Sequence, residues 1–173
     1  MAADGSHIDA AGSGDPDAAA VYAAEEEALP DGGRRFRRFA DLVAFVDHAL
    51  SEPFWAEQFP DAPVSAEVVR RSHSATASGA HVTGDGWDAV IWIRDGSWDA
   101  VTVVHELAHV ATGSFRDPGR WSTDPGHGER FVSALLVLWR HHLGAHAYGA
   151  LCSALGARGL SRDHHGGRCP GSE

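Results

Sequence analysis

The sequence predicts a single α+β domain, and three observations carry that prediction. Its 173 residues are close to the length of one domain. Segments with apolar residues at helical spacing stand at both ends. Between them lies a stretch of short, β-rich runs, of which AVIWIR at 89–94 is the strongest. Apolar residues at 43% and charged residues at 22% sit near globular averages, which excludes a fibre, a wholly disordered chain or a membrane protein. No apolar run reaches membrane-spanning length.

Taken in order, residues 1–14 and 161–173 have little to bury and read as disordered tails, which leaves one domain over 15–160. Asp15-Pro16 reads as an N-cap and first-turn pair for a helix running to about Leu29, where Pro30, Asp31, Gly32 and Gly33 stop it. Its run Glu25, Glu26 and Glu27 is most simply a solvated face. RRFRRF at 34–39 reads as a short strand. Leu42, Val43, Phe45, Val46, Ala49 and Leu50 then mark an amphipathic helix that ends before Pro53. PFWAEQFP at 53–60 reads as an aromatic linker. Val64–Arg71, residues 81–83 after a polar stretch, and Ala89–Arg94 after the turn Gly84-Asp85-Gly86 make a small sheet. Ser97 or Asp99 caps a helix from about Trp98 to Thr112, with Gly113 as its stop. Two more helices follow, from about His127 to His142 and from about Ala145 to Leu155.

The net charge of −10 is the wrong sign for phosphate backbones, so nucleic acid is a poor partner; the basic run Arg34–Arg38 reads as a solvated strand face. Two cysteines, Cys152 and Cys169, with no CxxC spacing exclude a disulfide framework and a cysteine zinc ribbon. The N-terminus shows no basic and apolar secretory pattern, which makes the cytoplasm the expected compartment. The 12 histidines are about twice the ordinary number, and some of them call for a reason.

That reason is HELAH at 105–109. Histidines at i and i+4 share one helix face, so the imidazoles of His105 and His109 can reach one metal ion while Glu106 projects beside them. At about 100° per residue, Thr102, His105, Glu106, His109 and Thr112 share one arc, and Ala100, Val104, Leu107, Ala108 and Ala111 occupy the opposite one. Val101, Val103 and Val110 make most of the remaining surface apolar, so the helix is expected to be buried with its polar arc lining a cleft. Such a place demands partners for every polar group. A third ligand has to come from the connection that follows: His127, 18 residues beyond His109, and Asp117, Asp124 and Glu129 are all chemically able.

HELAH followed by His127-Gly128-Glu129-Arg130-Phe131 resembles the HExxH…HGxxF pattern of small zinc peptidase domains such as SprT-like proteins and other minimal gluzincins. The chain resembles more closely a bacterial family of HExxH-motif metallohydrolases. Those proteins also carry a VYxAE-like segment, here Val21-Tyr22-Ala23-Ala24-Glu25, and an aromatic-plus-proline stretch, here Phe54-Trp55 to Phe59-Pro60. The resemblance spans about residues 15–160. It implies a zincin-like fold in which a small mixed or antiparallel sheet packs against the HExxH helix, and it implies His127 as third zinc ligand with Phe131 in the core. It also implies that the strand Ala89–Arg94 pairs an extended substrate. Glu129 is then expected at most to orient a ligand histidine.

The expected function is therefore that of a zinc-dependent hydrolase, a metallopeptidase or amide hydrolase acting on a peptide or protein. Zn²⁺ is held by His105, His109 and His127, and Glu106 is the general base. Three zinc-bound imidazole nitrogens lie roughly 3 to 4 Å apart. The competing reading is a non-catalytic metal-binding or interaction protein that keeps the fold. His141 and His142 are read as favouring a helix C-terminus. His146, Tyr148, Arg120 and Arg130 are candidate oxyanion or carboxylate contacts, and His164, His165 and Cys169 an adventitious metal site in the tail.

Overall fold

The computed structural model describes residues 15, 17–75, 77–83, 86–113 and 126–160, and these form six helices and one three-stranded sheet. The α+β class is the one the sequence predicts, and the sheet is mixed. Its strands are β1 (Ser65–Arg71), β2 (Gly79–Val82) and β3 (Asp88–Arg94), in the order β1-β3-β2. β3 lies parallel to β1 and antiparallel to β2, with Ile91 opposite both Val68 and Ala80. It takes the centre because strict alternation puts Ala89, Ile91 and Ile93 on one buried face while its branched residues suit a pleated ladder. The central position corrects one expectation. With strands on both sides the β3 backbone is already paired, so a substrate strand cannot add to it; the sheet edges belong to β1 and β2.

The helices are α1 (Ala18–Ala28), α2 (Phe39–Ser51), α3 (Pro53–Gln58), α4 (Ala100–Thr112), α5 (Glu129–His142) and α6 (Gly144–Ala157). α4 packs against the sheet through β2 and β3 and against α5 on another side; α6 lies on both α1 and α5, and α2 on β1. One core joins these layers, from Val21 in α1 through Ile91 and Leu107 to Leu155 in α6. No helix among the described residues is long and apolar enough to cross a membrane.

Two segments differ from the sequence reading. RRFRRF forms no strand, only the single bridge Arg35–Asp99. The carbonyls of Gly32 and Arg34 instead accept the N–H groups of Val101 and Ala100, and Phe36 N–H donates to the Trp98 carbonyl. A helix leaves its first N–H groups without internal partners, and at α4 this strap supplies them, so its hydrogen bonds are spent on a helix end rather than a sheet edge. Gly32 makes the approach possible: its φ is +71°, and a Cβ there would meet Asp99 Cγ at 2.8 Å. The stretch taken as an aromatic linker contains α3, which Pro53 starts at the first helical turn. Trp55 is fully buried, its indole N–H donating to the Pro63 carbonyl at 2.9 Å, so burial of the ring wins over a composition that reads as irregular.

Candidate metal centre

α4 starts where its capping residue stands: the Asp99 carboxylate accepts the Thr102 N–H at 2.9 Å, and Gly113 closes the helix in a left-handed conformation at φ 60°. Between these ends every residue from Val103 to Val110 is buried. His105, Glu106 and His109 are thus sealed on the face that meets α5 and the N-terminal segment. Among the described residues the buried polar and charged side chains are Glu25, His105, Glu106, His109 and His127, and they stand together. Burying five such groups costs free energy that partners have to offset.

The partners come from both ends of the chain. His127 sits two residues before α5, with Gly128 as the helix cap, so its ring turns back over α4. Candidate ligand atoms of His105, His109 and His127 all lie within 4.8 Å of one another, and the Nε2 atoms of His105 and His127 are 3.1 Å apart, inside the roughly 3 to 4 Å expected of ligands on one ion. His105 Nδ1–H donates to Glu25 Oε2 at 2.9 Å, and His127 Nδ1–H donates to Asp15 Oδ2 at 2.7 Å. The same Asp15 oxygen accepts the His127 backbone N–H at 2.9 Å. Phe131, at 1% exposure, supports all three rings with centroid distances of 5.0, 4.4 and 4.7 Å.

These contacts fix which nitrogen is available. When Nδ1 carries the proton of a neutral imidazole, Nε2 is a bare lone pair. Two such lone pairs 3.1 Å apart repel unless a cation stands near both. Burial disfavours the His105 imidazolium, yet the Glu25 carboxylate outweighs burial and raises its pKa. Burial and the His105 charge lower His127 against the pull of Asp15, and burial drives His109 well below the ordinary histidine value. Of the three rings, His105 is the one whose surroundings favour a cation, and a divalent ion can take the position between the facing nitrogens. The carboxylate–histidine pairing, which fixes tautomer and ring direction, is the arrangement that metal-binding histidines use. The donor set therefore fits Zn²⁺.

Glu106 is 3% exposed, and its Oε2 is buried with no hydrogen-bond partner. Burial lifts its carboxyl to about 7, the His105 charge opposing and Glu25 adding to the rise. Tyr22 of α1 lies over the cluster, stacked on His105 at 4.8 Å and 16° and tilted against His127 at 5.4 Å, and it remains 46% exposed. Partial burial and the charges of Glu106, Glu25 and Asp15 raise its pKa, so the phenol keeps its proton.

Against the sequence expectations, the structure brings His105, Glu106, His109 and His127 together and puts Phe131 in the core. Asp117, Asp124 and Arg120 lie outside the described residues, as do His164, His165 and Cys169. Glu129 is exposed in the first turn of α5, and the orienting carboxylates are Glu25 and Asp15 instead. Asp15 does not cap α1 by its side chain; its Oδ1 accepts the Asp17 N–H at 3.1 Å while Oδ2 serves His127. Glu25 is no part of a solvated face. It belongs to the stripe Val21, Ala24, Glu25, Ala28, spaced i, i+3, i+4, i+7, and a carboxylate on an apolar stripe is the signal that could have found it. Asp15 carries no comparable mark. Tyr148 lies beneath the Arg140 guanidinium, while His146 and Arg130 are exposed. Burial pushes His142 down to about 4, with His141 adding to the effect, so it stays neutral and the helix dipole does not account for it.

No protein-family model, curated protein or solved structure matches this chain.

Proposed function

We propose that this protein is a zinc-dependent hydrolase with a zincin-like fold, most directly a metallopeptidase or amide hydrolase working in the cytoplasm. His105, His109 and His127 hold the ion and Glu106 is the general base. The observation that carries the reading is the convergence of buried polar groups: three imidazoles, two with Nδ1 bound to a carboxylate, and beside them a glutamate oxygen without a partner. A bound Zn²⁺ supplies Lewis acidity, polarising a carbonyl and lowering the pKa of water towards about 7. Glu25 and Asp15 keep the histidine Nε2 atoms aimed at one point. Glu106, with a carboxyl near 7, accepts the proton of the attacking water and returns it to the leaving amine. Tyr22, protonated and open to solvent on one side, donates a hydrogen bond to the oxygen that gains charge. Among the described residues no strand pairs the outer edge of β2 beside α4, which leaves that edge for backbone pairing with an extended peptide.

A purely structural zinc site has no use for a partnerless buried Glu106, which is why turnover is preferred to the non-catalytic reading. The test combines metal analysis with cleavage of a fluorogenic peptide library. Protein purified from zinc-supplemented cells is expected to carry one tightly held zinc and to cleave amide bonds, and Glu106→Gln to keep the zinc and lose cleavage. Zinc bound with no cleavage by the parent would favour the binding protein, and zinc content unaffected by His105→Ala would end the metal reading.

A further inference from the structure

We propose that the protein has a second, weaker site for a divalent first-row metal ion, formed by Glu52, His141 and His142 where the C-terminal end of α5 meets the corner between α2 and α3. The site does not depend on the hydrolase reading.

Candidate ligand atoms of these three residues lie within 4.8 Å of one another. His141 Nε2 stands 3.2 Å from Glu52 Oε2, close to the roughly 3.4 Å that separates neighbouring ligands on a tetrahedral ion with bonds of about 2.1 Å. His142 Nε2 is buried and has no hydrogen-bond partner, although its ring is set between Phe45 and Phe54 at 5.5 and 6.3 Å. A lone nitrogen in an aromatic surround is an unmet polar group, and a metal ion is a partner that would meet it. His141 is held by stacking on Phe54 at 3.7 Å and 4°.

The chain geometry makes the convergence possible. Consecutive residues inside a helix diverge by about 100°, but His141 and His142 close α5, and their rings meet edge to face at 4.7 Å. Glu52 is the extended residue between α2 and Pro53, so its carboxylate leaves the helix and turns towards them. His48, one turn back in α2, approaches the other Glu52 oxygen at 3.5 Å and is a candidate fourth ligand. Two imidazoles and a carboxylate suit Zn²⁺, Ni²⁺ or Co²⁺ rather than Ca²⁺ or Mg²⁺. Without metal, His141 N–H donates to Glu52, and the ion replaces that proton. The thirteen steps of α5 put this site roughly 20 Å from His127, too far for the two to share a ligand.

The test is calorimetric titration of the full chain with Zn²⁺, with Co²⁺ absorption as a second readout. The parent is expected to show a tight event and a second one at least about tenfold weaker. Glu52→Gln combined with His141→Ala, two side chains that are partly exposed and outside the buried core, should remove only the weak event; His105→Ala with His109→Ala should remove only the tight one. A single event in the parent would overturn the proposal. So would a weak event that survives the Glu52 and His141 changes, or one that disappears with His164→Ala and His165→Ala, since the ion would then sit elsewhere.

Discussion

Among the described residues the protein holds two clusters of histidine and carboxylate, built in opposite ways. The cluster on α4 is sealed, with every ring less than a tenth exposed and two Nδ1 atoms tied to carboxylates. The cluster at the end of α5 is half open, and there the carboxylate of Glu52 lies among the rings at the position a ligand would occupy. The difference shows what aims an imidazole. Behind the ring, a carboxylate orders it and leaves Nε2 free to bind; in front of it, a carboxylate competes for that nitrogen or becomes a ligand itself. Burial then sets strength, since the dry cluster cannot exchange a lost partner for water.

The sharpest way to break this contrast is Glu106→Gln. Cleavage should fall by about 10²- to 10⁴-fold at unchanged zinc content, as measured on the fluorogenic library. Next come the ligands. His127→Ala should weaken zinc binding by more than about 100-fold in competition with a chelator, exceeding the loss from either supporting carboxylate. Glu25→Gln and Asp15→Asn keep shape and remove charge, so each should cost about 10- to 100-fold in zinc affinity, whereas Glu129→Ala should cost less than about threefold. If Glu129→Ala stripped the metal and Glu25→Gln did not, the role given to the carboxylates behind the rings would be wrong. The smallest effect belongs to Asp99→Ala, which removes the α4 cap. It should lower stability by about 1 kcal/mol in urea unfolding while zinc affinity stays as it was, and so separate loss of fold from loss of the site.

The sequence made the centre of the site legible because its signal is local. HELAH places two rings and a glutamate by helix geometry alone, and His127 follows in the next connection. Glu25 and Asp15 were hidden for the opposite reason: their partners lie 80 and 112 residues away, and nothing near them says which ring they will meet. A glutamate beside Glu26 and Glu27 reads as solvated until its place on the stripe with Val21 and Ala24 is weighed. The same holds for the fold. The helices that carry caps and breakers fell close to their expected limits, and β3 was plain from its alternation. The strap over the start of α4 and the helix around Trp55 were misread, because each is settled by a tertiary need, unpaired N–H groups in one case and a buried indole in the other.

The bond between Asp15 and His127 also has a meaning in time. His105 and His109 are made in quick succession on one helix and by themselves offer the proposed ion two ligands. Only after residue 127 has been synthesised can Asp15 find its partner across 112 positions of chain. Long loop closures of this kind come late in folding. A chain translated only as far as α4 thus has at most two of the three rings, with only the His105 ring backed by a carboxylate. Completion of the third imidazole and its carboxylate marks the moment at which the early and late parts of the domain have docked. If the proposed ion is bound, its tight retention would be a signature of finished assembly, and a truncated or stalled chain would be marked by its absence.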